Sequence, residues 1–171
     1  MEVTKDLQLV CSHEPWISDV VDMTQYPRFQ DRKNTYEIND EDPLHDWNDK
    51  GNHTDWFIWD FTLSELKTMK RIQRVSYRDK QYDGNQTFCS FEEYIDIAKD
   101  KGVGIYPEIK HGHKTDQVLY SRNNSLQKEG TMVDLILQVI NEVAYYCRKS
   151  NFSNDVKLTT KFGAYCKVLY S

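Results

Sequence analysis

The sequence predicts an α/β fold, and three observations carry that expectation. Residues 7 to 14 read Leu-Gln-Leu-Val-Cys-Ser-His-Glu, with apolar side chains that alternate and then run together, as in a strand first half buried and then fully buried. Two capping boxes, Thr62 with Glu65 and Ser90 with Glu93, each open a helix. From Val103 onward the order strand, helix, strand, helix fits βαβ crossovers over a parallel sheet.

Taken in order, Thr4-Lys5-Asp6 reads as a polar turn leading into the first strand. His13 stands at that strand's end, and Pro15 keeps Glu14 out of the helical region, so the chain leaves in an extended or turned segment. Residues 19–56 are rich in Asp, Asn and Lys and read as a long irregular insertion with a short strand at Asn34 to Ile38. Long loops of this kind tend to be functional or disordered. Trp56 to Asp60 reads as an apolar-aromatic strand or its entry. The first capping box predicts a helix from Leu63 to Gln73 burying Leu63, Leu66 and Met69 or the stem of Lys70. Arg71 to Thr87 reads as a polar loop that turns at Asp83-Gly84. The second box predicts a helix from Phe91 to Asp100 that buries Tyr94, Ile95 and Ala98 and stops at Gly102. A polar stretch follows to Gly130. Thr131 then caps a helix from Met132 to Arg148, with apolar residues at a 3.6-residue period. Val156 to Thr159 reads as a strand, and Gly163 to Ser171 fits helix or strand equally.

Composition sets the class. The hydrophobic fraction of 39% over 171 residues supplies one core and so one domain. A net charge of -5 argues against a nucleic-acid partner, which would usually require a basic stripe. No apolar run reaches the length of a membrane span. The first residues are charged and polar and hold no signal peptide. Cys11, Cys89, Cys147 and Cys166 lack CxxC spacing, so a zinc site is not expected, disulfide pairing stays open, and buried free thiols are the expectation. Asn-x-Ser/Thr sequons at Asn52, Asn85, Asn123 and Asn151 lean toward a secreted or secretory-lumen product.

The stretch Gly102 to His111 carries the chemistry. A short apolar strand there ends in Glu108, and Lys110 follows two residues later, so both side chains point the same way with Ile109 opposite. An acid and an amine side by side at a strand end can hold a divalent cation and the phosphate it binds; the plainer alternative is a salt-linked strand end. His13 is the matching candidate proton carrier, because its unperturbed pKa lies near neutrality, although a strand-end histidine also serves structurally. His111 and His113 would share a face if extended, but the surrounding sequence favours a solvated loop.

Several motifs in order resemble one family. Thr4-Lys5-Asp6, then Leu9-Val10, His13-Glu14, a long insertion and Gly104-Ile105-Tyr106-Pro107-Glu108-Ile109-Lys110 look like a glycerophosphodiester phosphodiesterase of the eukaryotic periplasmic-type branch common in plants. Tyr26-Pro27-Arg28-Phe29, Asp31 to Tyr36, Asp60 to Lys67, Tyr77 to Gly84 and Phe91 to Ile95 resemble that branch in order and spacing. The resemblance is strong to Lys110 and weak beyond, where Thr160-Lys161-Phe162 stands in place of the family's Gln-Ser-Phe. It implies a TIM-like (β/α) barrel, a fold that typically takes about 250 residues. At 171 residues the chain is expected to form an incomplete barrel, with the 19–56 insertion after an early strand. The family's His-Arg-Gly motif and Glu-x-Asp pair, which supply a second histidine and two metal carboxylates, are absent. Glu2 lies too close to Thr4 to replace the second acid.

The resemblance implies hydrolysis of a small-molecule glycerophosphodiester to an alcohol and glycerol 3-phosphate. His13 would be general acid or base, Glu108 a ligand of Ca²⁺ or Mg²⁺, and Lys110 the contact to phosphate. With one histidine and one carboxylate, activity is expected to be impaired. The alternative reading is a non-catalytic remnant that binds a phosphate-bearing ligand, a glycan or a partner protein, with Trp16, Trp47, Trp56 and Trp59 as candidate contact residues and core packing as their plainer role. Unpaired strand edges in an incomplete barrel would favour association.

Overall fold

The computed structural model describes residues 1–38, 51–103, 105, 107, 115–118, 134–139 and 141. The chain opens with a hairpin in which β1 (Glu2–Val3) pairs antiparallel with β2 (Leu9–Val10), Glu2 opposite Val10 and Val3 opposite Leu9. Thr4-Lys5-Asp6 forms its turn, as the sequence predicts. Thr4 N donates to Gln8 O at 2.9 Å and Leu7 N to Thr4 O at 3.0 Å. The Asp6 carboxylate accepts from the Thr4 hydroxyl and, at 2.9 Å, from Leu63 N, which ties the turn to a later element. β2 is shorter than the strand expected over residues 7–14. Leu7 is still in the turn at φ 61, and the ladder with β1 ends at Val10, which pairs with Glu2 and also makes an isolated antiparallel bridge to Ser90.

The span 19–56 holds more regular structure than its polar composition predicts. Two 3-10 stretches, Met23–Gln25 and Pro27–Arg32, precede β3 (Asn34–Ile38), which falls on the predicted residues. β3 pairs antiparallel with β4 (Gly51–Asp55), from Asn34 opposite Asp55 to Ile38 opposite Gly51. The few apolar residues of the span are spent inward: Val21, Met23 and Phe29 are buried. Tyr36 stands edge-on to Phe57 and Trp59, with centroids 4.8 and 5.4 Å away, so the hairpin packs onto the core aromatics.

Trp56 to Asp60 is not a strand. Phe57 makes one antiparallel bridge to Trp16, and Ile58–Asp60 coil into a 3-10 turn. α1 (Leu63–Leu66) keeps the predicted capping box but runs for one turn only. Residues that would have continued it find other partners. Thr68 N and Met69 N bond to carbonyls three residues back, Lys70 N donates to the Tyr26 hydroxyl at 2.7 Å, and Arg71 N donates to Gln86 O at 2.7 Å. Arg71 to Thr87 is otherwise loop, turning at Gly84 with φ 75. α2 (Phe91–Lys101) follows the prediction, with a capping box at Ser90 and Gly102 closing it at φ 63 in the left-handed region. Residues 115–118 form a helical turn inside the stretch expected to be polar loop, and Thr115 and Val118 are buried. Residues 134–139 and 141 are helical within the predicted 132–148 helix, with Ile136 fully buried. The strand expected at Val156 to Thr159 lies outside the described residues.

The core forms two clusters divided by chain alternation. Leu9, Trp16 and Phe57 face one, with Phe91, Ile95 and Ile136. Their neighbours Val10, Ile17 and Ile58 face the other, with Phe29, Phe61 and Phe88. Adjacent residues of extended backbone point to opposite sides, so three short segments serve both clusters. Where a parallel sheet is expected, the described ladders are two separate antiparallel pairs, and no parallel ladder or closed barrel occurs among the described residues.

Candidate functional site

His13 sits in a bend three residues beyond β2. The bend is clamped on both sides. Cys11 N donates to Cys89 O at 2.9 Å on one side, while Ile58 N donates to Pro15 O at 2.8 Å and Ile17 N to Trp56 O at 2.9 Å on the other. Within it the buried Ser12 hydroxyl donates to Glu14 O at 3.0 Å. A flexible loop would not need these anchors; here they fix where the imidazole emerges.

The His13 side chain is 47% exposed and its Nδ1 pairs with Glu14 Oε1, on a carboxylate that is only 6% exposed. Arg74 Nη1 reaches the same oxygen at 3.3 Å from a side chain 38% exposed. Glu14 Oε2 is buried with no hydrogen-bond partner among the described residues. Arg71 supports the segment from behind: its guanidinium donates to Cys11 O at 3.4 Å and lies 5.1 Å from the centroid of the Phe88 ring, and burial pulls its pKa below the ordinary value. A carboxylate accepting Nδ1–H fixes the imidazole's tautomer and offsets the charge of its protonated form, which leaves Nε2 as the atom suited to proton transfer.

Glu14, whose orientation the sequence leaves open, thus turns toward His13. Arg74 was not legible as a site residue at all, because it comes from a polar loop 60 positions further along the chain. Glu108, Lys110, His111 and His113 lie outside the described residues. Their approach is visible only through Ile105, which packs on the cluster containing Leu9, and Pro107, which is buried. Asn52 and Asn85 are exposed. Asn52 lies on β4 and not in the loop its sequence suggests, and Asn85 follows the Gly84 turn. Asn123 and Asn151 lie outside the described residues. Trp16 and Trp59 are core residues, and Trp56 donates its indole N–H to Phe29 O at 2.7 Å, so packing is the role of all three; Trp47 lies outside the described residues.

A divalent cation needs several oxygen ligands. Beside His13 the described residues offer one buried carboxylate oxygen without a hydrogen-bond partner, Glu14 Oε2, and no group of three or more His, Cys, Asp or Glu side chains among them is placed to hold a metal ion. By themselves they do not make a cation site. No helix among the described residues is long and apolar enough to cross a membrane.

Comparison with known proteins gives the same direction as the motifs. The chain is 43% identical over 110 residues to the glycerophosphodiester phosphodiesterase GDPD6 of Arabidopsis thaliana. The aligned stretch is 63% of this chain and 27% of that relative, so the match spans about a quarter of the relative's length. The sequence also matches the Glycerophosphoryl diester phosphodiesterase family over residues 1–167. A match over nearly all of the 171 residues is decisive, and the chain belongs to the glycerophosphoryl diester phosphodiesterase family.

Proposed function

We propose that this chain contributes to the hydrolysis of small glycerophosphodiesters to an alcohol and glycerol 3-phosphate, as part of a TIM-like (β/α) barrel. The observation that supports this best is the half-exposed His13 imidazole tied to the buried Glu14 carboxylate. In this reading His13 Nε2 moves the proton. Water oxygen bonds to phosphorus, the bond from phosphorus to the alcohol oxygen breaks, and the imidazolium gives its proton to the departing oxygen. Glu14 holds the ring and offsets its charge, and Arg74 keeps the Glu14 carboxylate paired. We assign Lys110 to a non-bridging phosphate oxygen and Glu108 to a divalent cation, Ca²⁺ or Mg²⁺. Such a cation supplies charge neutralisation at the phosphodiester when bound. The exposure of Asn52 and Asn85 supports their use as glycan acceptors in a secretory compartment.

Turnover by the 171 residues is expected to be slow, because they contain no His-Arg-Gly motif and no Glu-x-Asp triplet. The test is titration of glycerophosphocholine into the chain with Ca²⁺ or Mg²⁺, alongside an assay for released glycerol 3-phosphate. We expect saturable binding that is lost in His13→Ala, with product formation close to the blank. Absence of binding in both ions overturns the proposed substrate. Rapid turnover abolished by His13→Ala supports the reaction and overturns the expectation of impairment.

A further inference from the structure

We propose that Cys11 and Cys89 form a dithiol site that small disulfides of the oxidised-glutathione class convert to an intrachain disulfide. The proposal does not depend on the phosphodiesterase reading. The pair is set by backbone register. Val10 and Ser90 form an antiparallel bridge, so the next residue of one segment, Cys11, faces the preceding residue of the other, Cys89, and Cys11 N donates to Cys89 O at 2.9 Å. Directly opposed residues of a hydrogen-bonded antiparallel pair have Cα atoms about 5.5 Å apart, inside the roughly 4.4–6.8 Å range that a disulfide spans.

The side chains agree with the backbone. Both sulfurs lie over one carbonyl, Ser90 O, at 3.3 Å from Cys89 Sγ and 4.0 Å from Cys11 Sγ. The two thiols are near enough for each to influence the other's ionisation. Both are free and neither is fully buried, so a small reagent can reach the site. Burial, with Cys89 alongside, pushes the Cys11 thiol up to about 11, while burial and then Glu93 raise Cys89. The thiolate is the attacking form, so Cys89 leads and oxidation needs a sustained oxidant.

The exchange balances. Cys89 Sγ attacks one sulfur of oxidised glutathione, forming a mixed disulfide and releasing one glutathione thiolate. Cys11 Sγ then attacks Cys89 Sγ, closing the intrachain bond and releasing the second. The two protein thiol protons end on the two released thiols, and the two protein sulfurs are oxidised as the reagent is reduced. The bridge would tie the segment that carries His13 to the residue before the N-cap of α2, closing a long loop.

The experiment uses the full chain with Cys147→Ser and Cys166→Ser, incubated with oxidised glutathione at pH 8.5 and then mapped by mass spectrometry of its peptides under non-reducing conditions. The expected result is a Cys11–Cys89 cross-linked peptide and a melting temperature higher by roughly 10 °C than that of the reduced chain. Both should be absent in Cys11→Ala and in Cys89→Ala, either of which suffices if the other fails to fold. Glutathione adducts without the cross-linked peptide overturn the site. A cross-link that leaves the melting temperature unchanged overturns its role as a staple. In the chain with all four cysteines, a bridge from Cys11 or Cys89 to Cys147 or Cys166 in place of the mutual one also overturns it.

Discussion

The strongest coupling at the candidate site runs through a single buried oxygen. Glu14 Oε1 serves both the neighbouring imidazole and a guanidinium from the 71–87 loop. His13 is a candidate in the sequence by its position after an apolar run, but residues adjacent in the chain can diverge or converge, and Pro15 restricts only the backbone of Glu14. Arg74 had no local signal, since its partner is distant in sequence and one arginine among Arg71, Arg74 and Arg78 looks like any other. The pair makes a quantitative prediction. Removing Arg74 leaves a buried carboxylate with less compensation, while removing both charges relieves the problem. A double-mutant cycle of Arg74→Ala and Glu14→Gln, read by urea unfolding, should show about 1–2 kcal/mol of coupling, scaled down from fully buried pairs because Arg74 is partly exposed. Additive single and double variants would mean that the contact contributes nothing to folding.

Helix starts were the most legible elements and helix ends the least. Both capping boxes form, because Ser or Thr followed three residues later by Glu satisfies otherwise orphaned N–H groups through contacts local to the sequence. α2 then runs to its predicted glycine. α1 does not run to Gln73, because Tyr26 and Gln86, both remote in the chain, capture the backbone N–H groups of Lys70 and Arg71. The short bridges between segments 10–11 and 89–90, and between 16 and 57, were hidden for the same reason: pairing partners are not written in local periodicity. Ser90 combines the two kinds of information, since it caps α2 and bridges Val10. Ser90→Ala should therefore destabilise by about 1 kcal/mol or somewhat more, as for a lost N-cap. Gly102→Ala should cost about 1 kcal/mol through its positive φ alone, because nothing lies within 4 Å of the added methyl group. Urea midpoints measure both, and a neutral Gly102→Ala would show that the left-handed cap is dispensable.

At the scale of the whole molecule, a mixture of strands and helices was legible, the parallel crossovers expected from Val103 onward fall largely outside the described residues, and the way the polar insertion joins the core could not be read from composition. That junction is built around Asp60, which is buried and accepts from Asn34 Nδ2 at 3.1 Å and from the Tyr36 hydroxyl at 2.9 Å, both on β3. Burial pushes its pKa up from 3.8 to about 6, against opposing contributions from Asn34, Arg32 and Lys5. The folded chain therefore holds this proton over a range in which the unfolded chain has already released it. Stability from this group is fully present below about pH 4 and is lost as pH rises through 6, a change of about 3 kcal/mol at one pKa unit per 1.4 kcal/mol. Glu65 and Glu93 are shifted the other way by their bonding partners, despite the opposing effect of burial, so the wild-type curve alone is a sum of opposite slopes. The difference between wild type and Asp60→Asn isolates the Asp60 contribution, because the amide keeps hydrogen-bonding capacity and cannot titrate. Urea unfolding of both proteins from pH 4 to 7.5 should show the variant gaining about 3 kcal/mol on the wild type across that range, with most of the gain between pH 4 and 6.5. A constant difference would mean that Asp60 titrates normally and that the hairpin is docked by the stacked aromatics around Tyr36 without help from a buried acid.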